Sequence, residues 1–231
     1  MIPLSDENPS KTIPFVNYTI IIINVIVFIF EITLSQQQLT RFIYEFGIIP
    51  ARIFFPSLNI KYDFFTSPFI TYFTSMFLHG GWLHIIFNMW ALYIFGDNVE
   101  DRLGHFKYLI FYIGAGLIAG FVHSIFNYNS ITPSIGASGA ISGVMAAYAI
   151  LFPAARIKTL FIFFVFPIII YIPAFFYIFL WFFSQLFSGT LSLMGAEGSA
   201  IAWWAHIGGF MGGVVLLKIF IKGTRLPFQR I

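Results

Sequence analysis

The stretch Gly136–Phe152, GASGAISGVMAAYAILF, decides how this chain is read. It carries no charge, is built largely from Gly, Ala and Ser, and is stopped by Pro153, which cannot continue a helix. Small residues at three- and four-residue spacing let helix backbones approach closely in a membrane. The composition around the stretch points the same way. Of 231 residues, 59% are hydrophobic and only 9% charged, against about 25% charged in a soluble domain. Such a chain cannot coat a water-facing surface, so its natural solvent is lipid. The fold class expected is an all-α polytopic membrane protein.

Working outward from that short span, apolar runs long enough to cross a bilayer predict six transmembrane helices in a single membrane-embedded domain covering residues 1–231. A short cytoplasmic N-terminus, 1–12, precedes the first span, Ile13–Leu34. Asn17, Asn24 and Glu31 interrupt that span, so one of its faces should look at other helices. Residues 35–66 form a long outer loop with amphipathic pieces, in which Arg41, Glu45, Arg52 and Lys61 stand among bulky apolar residues. Pro68 and Gly80-Gly81 break the uncharged run that follows, which places the second span at about Trp82–Arg102. The third is about Phe106–Phe126, and a polar loop, Asn127–Ser134, leads to the fourth, Gly136–Phe152. The fifth is a long helix, about Leu160–Phe187, kinked at Pro167 and Pro173. The sixth is about Ala202–Ile221, followed by a cytoplasmic tail, 222–231.

Direction follows from the Lys and Arg distribution. With the N-terminus inside, the inner segments hold Lys11, Arg102, Lys107, Arg156, Lys158, Lys218, Lys222, Arg225 and Arg230, and the outer ones only Arg41, Arg52 and Lys61. N-in and C-in is therefore expected. Met1–Ser10, with Asp6, Glu7 and two prolines, is unlike a signal or transit peptide, so the first span is expected to remain. The absence of cysteine excludes disulfides, zinc–thiolate sites and cysteine nucleophiles. A net charge of +3, with no basic patch interleaved with aromatics, gives nucleic-acid binding no support.

Polar groups within spans are costly and mark function. Span two carries His84 and Asn88, four residues apart on one helix face; span four opens with Gly136-Ala137-Ser138-Gly139; span six carries His206. Spans two, four and six all start at the outer surface, so these residues should lie at similar depth, just below it. His206, Gly209 and Gly213 share a face that can pack against the small residues of span four. That packing lets His206 take the Ser138 proton, without which a hydroxyl is a poor nucleophile. His84, the Asn88 amide and the Ser138 backbone N–H can donate to an oxyanion, and Gly136 and Gly139 leave room for a substrate backbone.

These motifs resemble the rhomboid family of intramembrane proteases. The resemblance rests on Gly136-Ala137-Ser138-Gly139, on His84-x-x-x-Asn88, on Ala205-His206 followed by Gly209 and Gly213, and on Gly96-x-x-x-Glu100-x-x-x-Gly104 at the inner end of span two. It covers roughly Thr66–Gly213 and implies a six-span bundle in which Ser138 and His206 form a dyad without an acidic third member. It also implies an oxyanion hole of His84, Asn88 and the Ser138 N–H, and substrates that are single-span membrane proteins. A prokaryotic cell membrane is the expected location, and no cofactor, metal or nucleic acid is expected. Some bacterial members carry a tyrosine four residues after the nucleophile, stacked on the histidine. Here that position is Ser142, and the Trp-Arg pair of their first outer loop is missing. How His206 and that loop are held is left open.

Each residue also has an ordinary reading. Ser138 alone would be a helix-packing serine, His206 a histidine bonded to a carbonyl, and His84 and Asn88 interhelical glue. His79 is read as organising the loop or contacting substrate, with the structural role preferred, His105 as solvated, His123 as without a catalytic role, and Glu100, Gly96 and Gly104 as structural. Trp203 and Trp204 are read as interface anchors. Among other classes, a rhomboid-like pseudoprotease is the alternative, but it would lack the serine or the histidine. A transporter would show charges at mid-membrane or inverted repeats. A zinc protease would show His-Glu-x-x-His.

Overall fold

The computed structural model describes residues 1–57, 63–193 and 202–221. Lys61, Lys222, Arg225, Arg230 and the expected tail 222–231 lie outside them. In chain order the elements are β1 (Ile2–Asp6), α1 (Phe15–Thr33), α2 (Gln36–Phe46), α3 (Pro50–Phe54), α4 (Thr71–Thr74, continued by a 3₁₀ turn, Ser75–Phe77), α5 (Trp82–Leu103), α6 (His105–Phe126), α7 (Ser138–Leu151), β2 (Arg156–Phe163), β3 (Phe166–Pro173), α8 (Ala174–Leu193) and α9 (Trp203–Phe220). Four of these helices, α1, α6, α8 and α9, are long and apolar enough to cross a membrane. The two others expected to span are α5, which ends in Asp97, Glu100, Asp101 and Arg102, and α7, which has 14 residues.

α7 is the centre of the bundle. Twelve of its 14 residues are buried, among them every small residue from Gly139 to Ala149. At 1.5 Å per residue it is about 21 Å long, well short of a hydrocarbon core of about 30 Å. A helix enclosed by protein need not match the bilayer, so it can begin below the membrane surface. α9 packs on α6 and α7, and α5 flanks α7 on another side. The close approach of α7 and α9 depends on glycine: a Cβ at Gly213 would sit 2.5 Å from the Gly143 Cα, and one at Gly209 would overlap the Gly139 carbonyl oxygen.

The polar stripe of α1 faces inward as expected, with Asn17, Asn24 and Glu31 all buried. Tyr108 donates to Asn17 Oδ1 at 2.7 Å, and Asn17 Nδ2 donates to the Leu92 carbonyl at 3.0 Å. Glu31 accepts the His79 backbone N–H at 3.2 Å. At the other end, Glu100 accepts the backbone N–H groups of Val16 and Asn17 at 3.0 and 2.7 Å, satisfying first-turn donors of α1. Gly96 is the point where the Asn17–Tyr108 pair crosses α5; any Cβ there would collide with both side chains. Gly104, at φ +79°, links α5 to α6 through a conformation that side chains disfavour. His105 is not simply solvated: its Nδ1 lies 2.5 Å from Glu100 Oε1.

Two expectations are corrected. The fifth span does not run from Leu160. Residues 156–173 form an antiparallel hairpin, with Arg156 opposite Pro173 and Phe163 opposite Phe166, and the helix starts at Ala174. The N-terminus is not merely a short tail, because β1 pairs with β2 to complete a three-stranded sheet in the order β1-β2-β3. The chain is mostly helical rather than all-α. The prolines obey the sheet: Pro3, Pro167 and Pro173 lie on the two edge strands, and β2 has none.

The segment between α1 and α5, which has no Trp-Arg pair among its described residues, is anchored by other contacts. Buried Glu45 on α2 accepts the N–H groups of Phe65 and Thr66 at 3.1 and 2.7 Å. Arg52 donates to the Thr66 carbonyl at 2.7 Å and lies over the Phe64 ring. Ile48 and Ser134 exchange backbone hydrogen bonds at 3.0 and 2.8 Å, tying this loop to the segment that enters α7.

Candidate active site

The first turns of α5, α7 and α9 meet at one end of the bundle. Ser138 is the first residue of α7 and His206 the fourth of α9. The close α7–α9 packing brings His206 Nε2 to 2.8 Å from Ser138 Oγ, a hydrogen-bond distance. The structure thus brings together the two side chains that the sequence analysis paired.

His84 comes in from the first turn of α5. The Gly80 N–H can only donate, and it points at His84 Nδ1 at 3.2 Å. The ring proton therefore belongs on Nε2. That atom faces Gly136, where a Cβ would be 2.7 Å from His84 Nε2 and 3.7 Å from Ser138 Oγ. Gly136 is held at φ +127° by its N–H bond to the Ser75 carbonyl at 2.9 Å, and both the angle and the gap require glycine. The space beside residue 136 is thus bordered by the hydroxyl and by an N–H donor. One turn below His84, Asn88 is 6% exposed, and its Nδ2 has no partner among the described residues. The Ser138 N–H is among the helix-start donors that have no intrahelical partner.

Ser142 lies one turn after Ser138 on α7. It is fully buried, and its hydroxyl donates to the Gly139 carbonyl at 2.6 Å. The imidazole is held from α8. Gln185 Oε1 lies 2.7 Å from His206 Nδ1, and the Trp181 ring is 5.8 Å away. Trp203 is also edge-on to His206, while Trp204 stacks on Phe126 at 3.7 Å. Sequence reasoning missed Gln185. It shares a face of α8 with buried Ala174, Tyr177 and Ile178, opposite the exposed Phe175, Phe176, Phe179, Phe183 and Phe187, and only burial tells the two faces apart. His79 is 2% exposed, with its ring 5.1 Å from that of His84. No group of three or more His, Cys, Asp or Glu that could hold a metal occurs among the described residues.

A small cavity of about 30 Å³ adjoins Ser138, bordered by Met76, Gly116, Ala119, Gly120 and Gly139. A larger one, about 240 Å³, lies between β1, α5, α7 and α8, bordered by Pro3, Trp90, Met145, Tyr177 and Trp181.

Fold and site together describe a helical integral membrane protein with a serine and a histidine paired where three helices begin. The family model for the Rhomboid domain matches residues 66–223, and the chain belongs to the rhomboid family. Rhomboid protein 1, mitochondrial, of Saccharomyces cerevisiae is 30% identical over 181 residues, covering 74% of this chain and 47% of the yeast protein. Rhomboid protease AarA of Providencia stuartii is 29% identical over 145 residues, 57% of this chain and 49% of its own. Presenilin-associated rhomboid-like protein A, mitochondrial, of Danio rerio is 34% identical over 85 residues, 36% of this chain and 22% of its own. The chain spans about half the length of the first and second of these and less of the third. Mitochondrial names predominate among the relatives, so the expected prokaryotic membrane gains no support from them.

Proposed function

We propose that the protein is an intramembrane serine endopeptidase that cuts single-span membrane proteins, with Ser138 as nucleophile and His206 as general base. The observation that carries this reading is the 2.8 Å contact between His206 Nε2 and Ser138 Oγ at the start of a buried helix. In the proposed mechanism the hydroxyl attacks the scissile carbonyl as its proton passes to Nε2. The oxyanion forms in the gap beside Gly136, facing the His84 Nε2–H, with the Asn88 amide and the Ser138 N–H as further donors. His206 then returns its proton to the leaving amine, and water releases the acyl group by the same route in reverse.

The reading extends to a six-span bundle with both termini inside, in which α5 and α7 complete the membrane set. α7 is enclosed by its neighbours, which accounts for its shortness, and the charged turns of α5 lie at its inner end. A substrate reaching this site from lipid is a transmembrane helix. Its carbonyls are tied up in i to i−4 hydrogen bonds and must be released before attack. Glycine or proline just beyond the cut favours that release, since each weakens a helix by about 1 or 3 kcal/mol relative to alanine. The 30 Å³ cavity beside Ser138 fits a small side chain before the scissile bond.

The test is labelling by a fluorophosphonate probe in detergent micelles. Wild type should be labelled on Ser138 and Ser138→Ala should not. Equal labelling of the two, or no labelling of folded wild type, overturns the proposal.

A further inference from the structure

We infer that Gln185 is the positioning residue of the dyad, doing from α8 what an acidic third member does elsewhere; this rests on the Ser138–His206 reading above. A closed set of hydrogen bonds orients the Gln185 amide. The Ser184 hydroxyl donates to the Trp181 carbonyl at 2.6 Å. Gln185 Nε2 approaches the same carbonyl at 3.2 Å and the Ser184 oxygen at 2.8 Å. The Trp181 carbonyl can only accept, and the Ser184 proton is already committed to it. Both therefore demand a donor from Gln185, so the NH₂ must face them and the amide oxygen must face His206. That oxygen, 2.7 Å from Nδ1, can only accept, so Nδ1 carries the ring proton. Nε2 is then left with its lone pair directed at Ser138 Oγ, 2.8 Å away, the tautomer a general base needs.

Burial makes this arrangement specific. Gln185 is 5% exposed, so water does not compete freely for the Nδ1 proton. Ser142 is committed to the Gly139 carbonyl and offers the ring nothing. Trp181 contributes both the carbonyl that orients the amide and a ring that borders the imidazole. When His206 accepts the Ser138 proton, the Gln185 carbonyl dipole, rather than a carboxylate charge, faces the imidazolium.

The test combines two variants with a readout that does not depend on turnover. Gln185→Met keeps length and apolar bulk but removes the acceptor, whereas Gln185→Glu keeps an acceptor toward His206 and, as the protonated carboxyl, a donor for the Trp181 carbonyl. Loss of tautomer preference alone costs about twofold, since half the rings stay correct. Freedom of the ring to rotate takes the loss in kcat to roughly tenfold to a hundredfold, with KM unchanged. Gln185→Glu should recover most of the wild-type kcat. In parallel, ¹⁵N-histidine spectra in micelles report the tautomer directly, with the His206 signals assigned by loss in His206→Ala. Wild type and Ser138→Ala should both show protonated Nδ1 and unprotonated Nε2, and Gln185→Met a mixture. Wild-type kcat in Gln185→Met, or an unchanged tautomer in folded Gln185→Met, overturns the inference. So does failure of folded Gln185→Glu to recover activity. A wild type that shows the tautomer but cuts nothing overturns the proposed activity and leaves the positioning of His206 standing.

Discussion

Gly209→Ala should cripple the proposed cleavage without touching either residue of the Ser138–His206 pair. The added Cβ would lie 2.5 Å from Ser142 Oγ and 2.8 Å from the Gly139 carbonyl carbon, and would overlap that group's oxygen. Comfortable carbon contacts begin at about 3.5 Å, so relieving the Ser142 contact alone parts α7 and α9 by roughly 1 Å, and the Gly139 oxygen demands more. The Ser138–His206 hydrogen bond is 2.8 Å long, and adding that separation takes it to roughly 3.8 Å, outside hydrogen-bond range. Overpacking of this kind costs about 1–3 kcal/mol, and a 1 Å misplacement of a catalytic group costs about a hundredfold in rate. The assay is cleavage of a single-span reporter in lipid vesicles together with thermal unfolding in micelles. Gly114→Ala on α6 is the control, because its Cβ would meet only the movable Leu216 Cδ1 at 3.1 Å. The control should melt no lower than wild type, since alanine favours the helix by up to about 1 kcal/mol. Wild-type turnover and melting in Gly209→Ala would refute the claim that this glycine contact sets the Ser–His distance.

Asn88→Ala should lower the cleavage rate by about a hundredfold or somewhat less, because two other donors remain, and His84→Ala should be at least as harmful; wild-type rates in both would make these residues helix glue. Burial pushes the His79 imidazole down to about 4, and the adjacent His84 acts the same way. The folded protein therefore resists a proton that the unfolded chain takes up near pH 6.5, so this contribution is complete above pH 6.5 and is lost as pH falls toward 4. The melting temperature of wild type should drop more steeply than that of His79→Leu over that range; parallel curves would sink the assignment. For topology, reporters fused after Arg156 and after Arg230 should both read cytoplasmic, and an outer signal from either would contradict the orientation.

Much of the site was legible because membrane physics makes polar residues conspicuous. His84, Asn88, Ser138 and His206 stand out in an apolar chain, and the glycines at 139, 143, 209 and 213 show which helices can pack close enough to join them. Asn17, Asn24 and Glu31, spaced at seven, marked the inward face of α1 for the same reason. The hairpin at 156–173 was not legible as such. LFIFFVFPIIIYIP is apolar at every position, so neither a period of two nor one of 3.6 can appear. Its turn also gives no glycine signal, since Phe164 itself takes φ +56°. The prolines that were read as kinks mark an edge strand and the boundary before α8. Gln185 was hidden among aromatics, because only packing on α7 and α9 distinguishes the buried face of α8 from the exposed one.

The central claim, that Ser138 and His206 act as one catalytic unit, is tested most directly by the rate at which vesicle-embedded protein cuts a single-span reporter. Wild type is compared with Ser138→Ala, His206→Ala and the double variant, all shown to be folded. The account predicts the same background rate in all three variants, with the double no worse than either single. Cleavage by Ser138→Ala at the wild-type rate would contradict it.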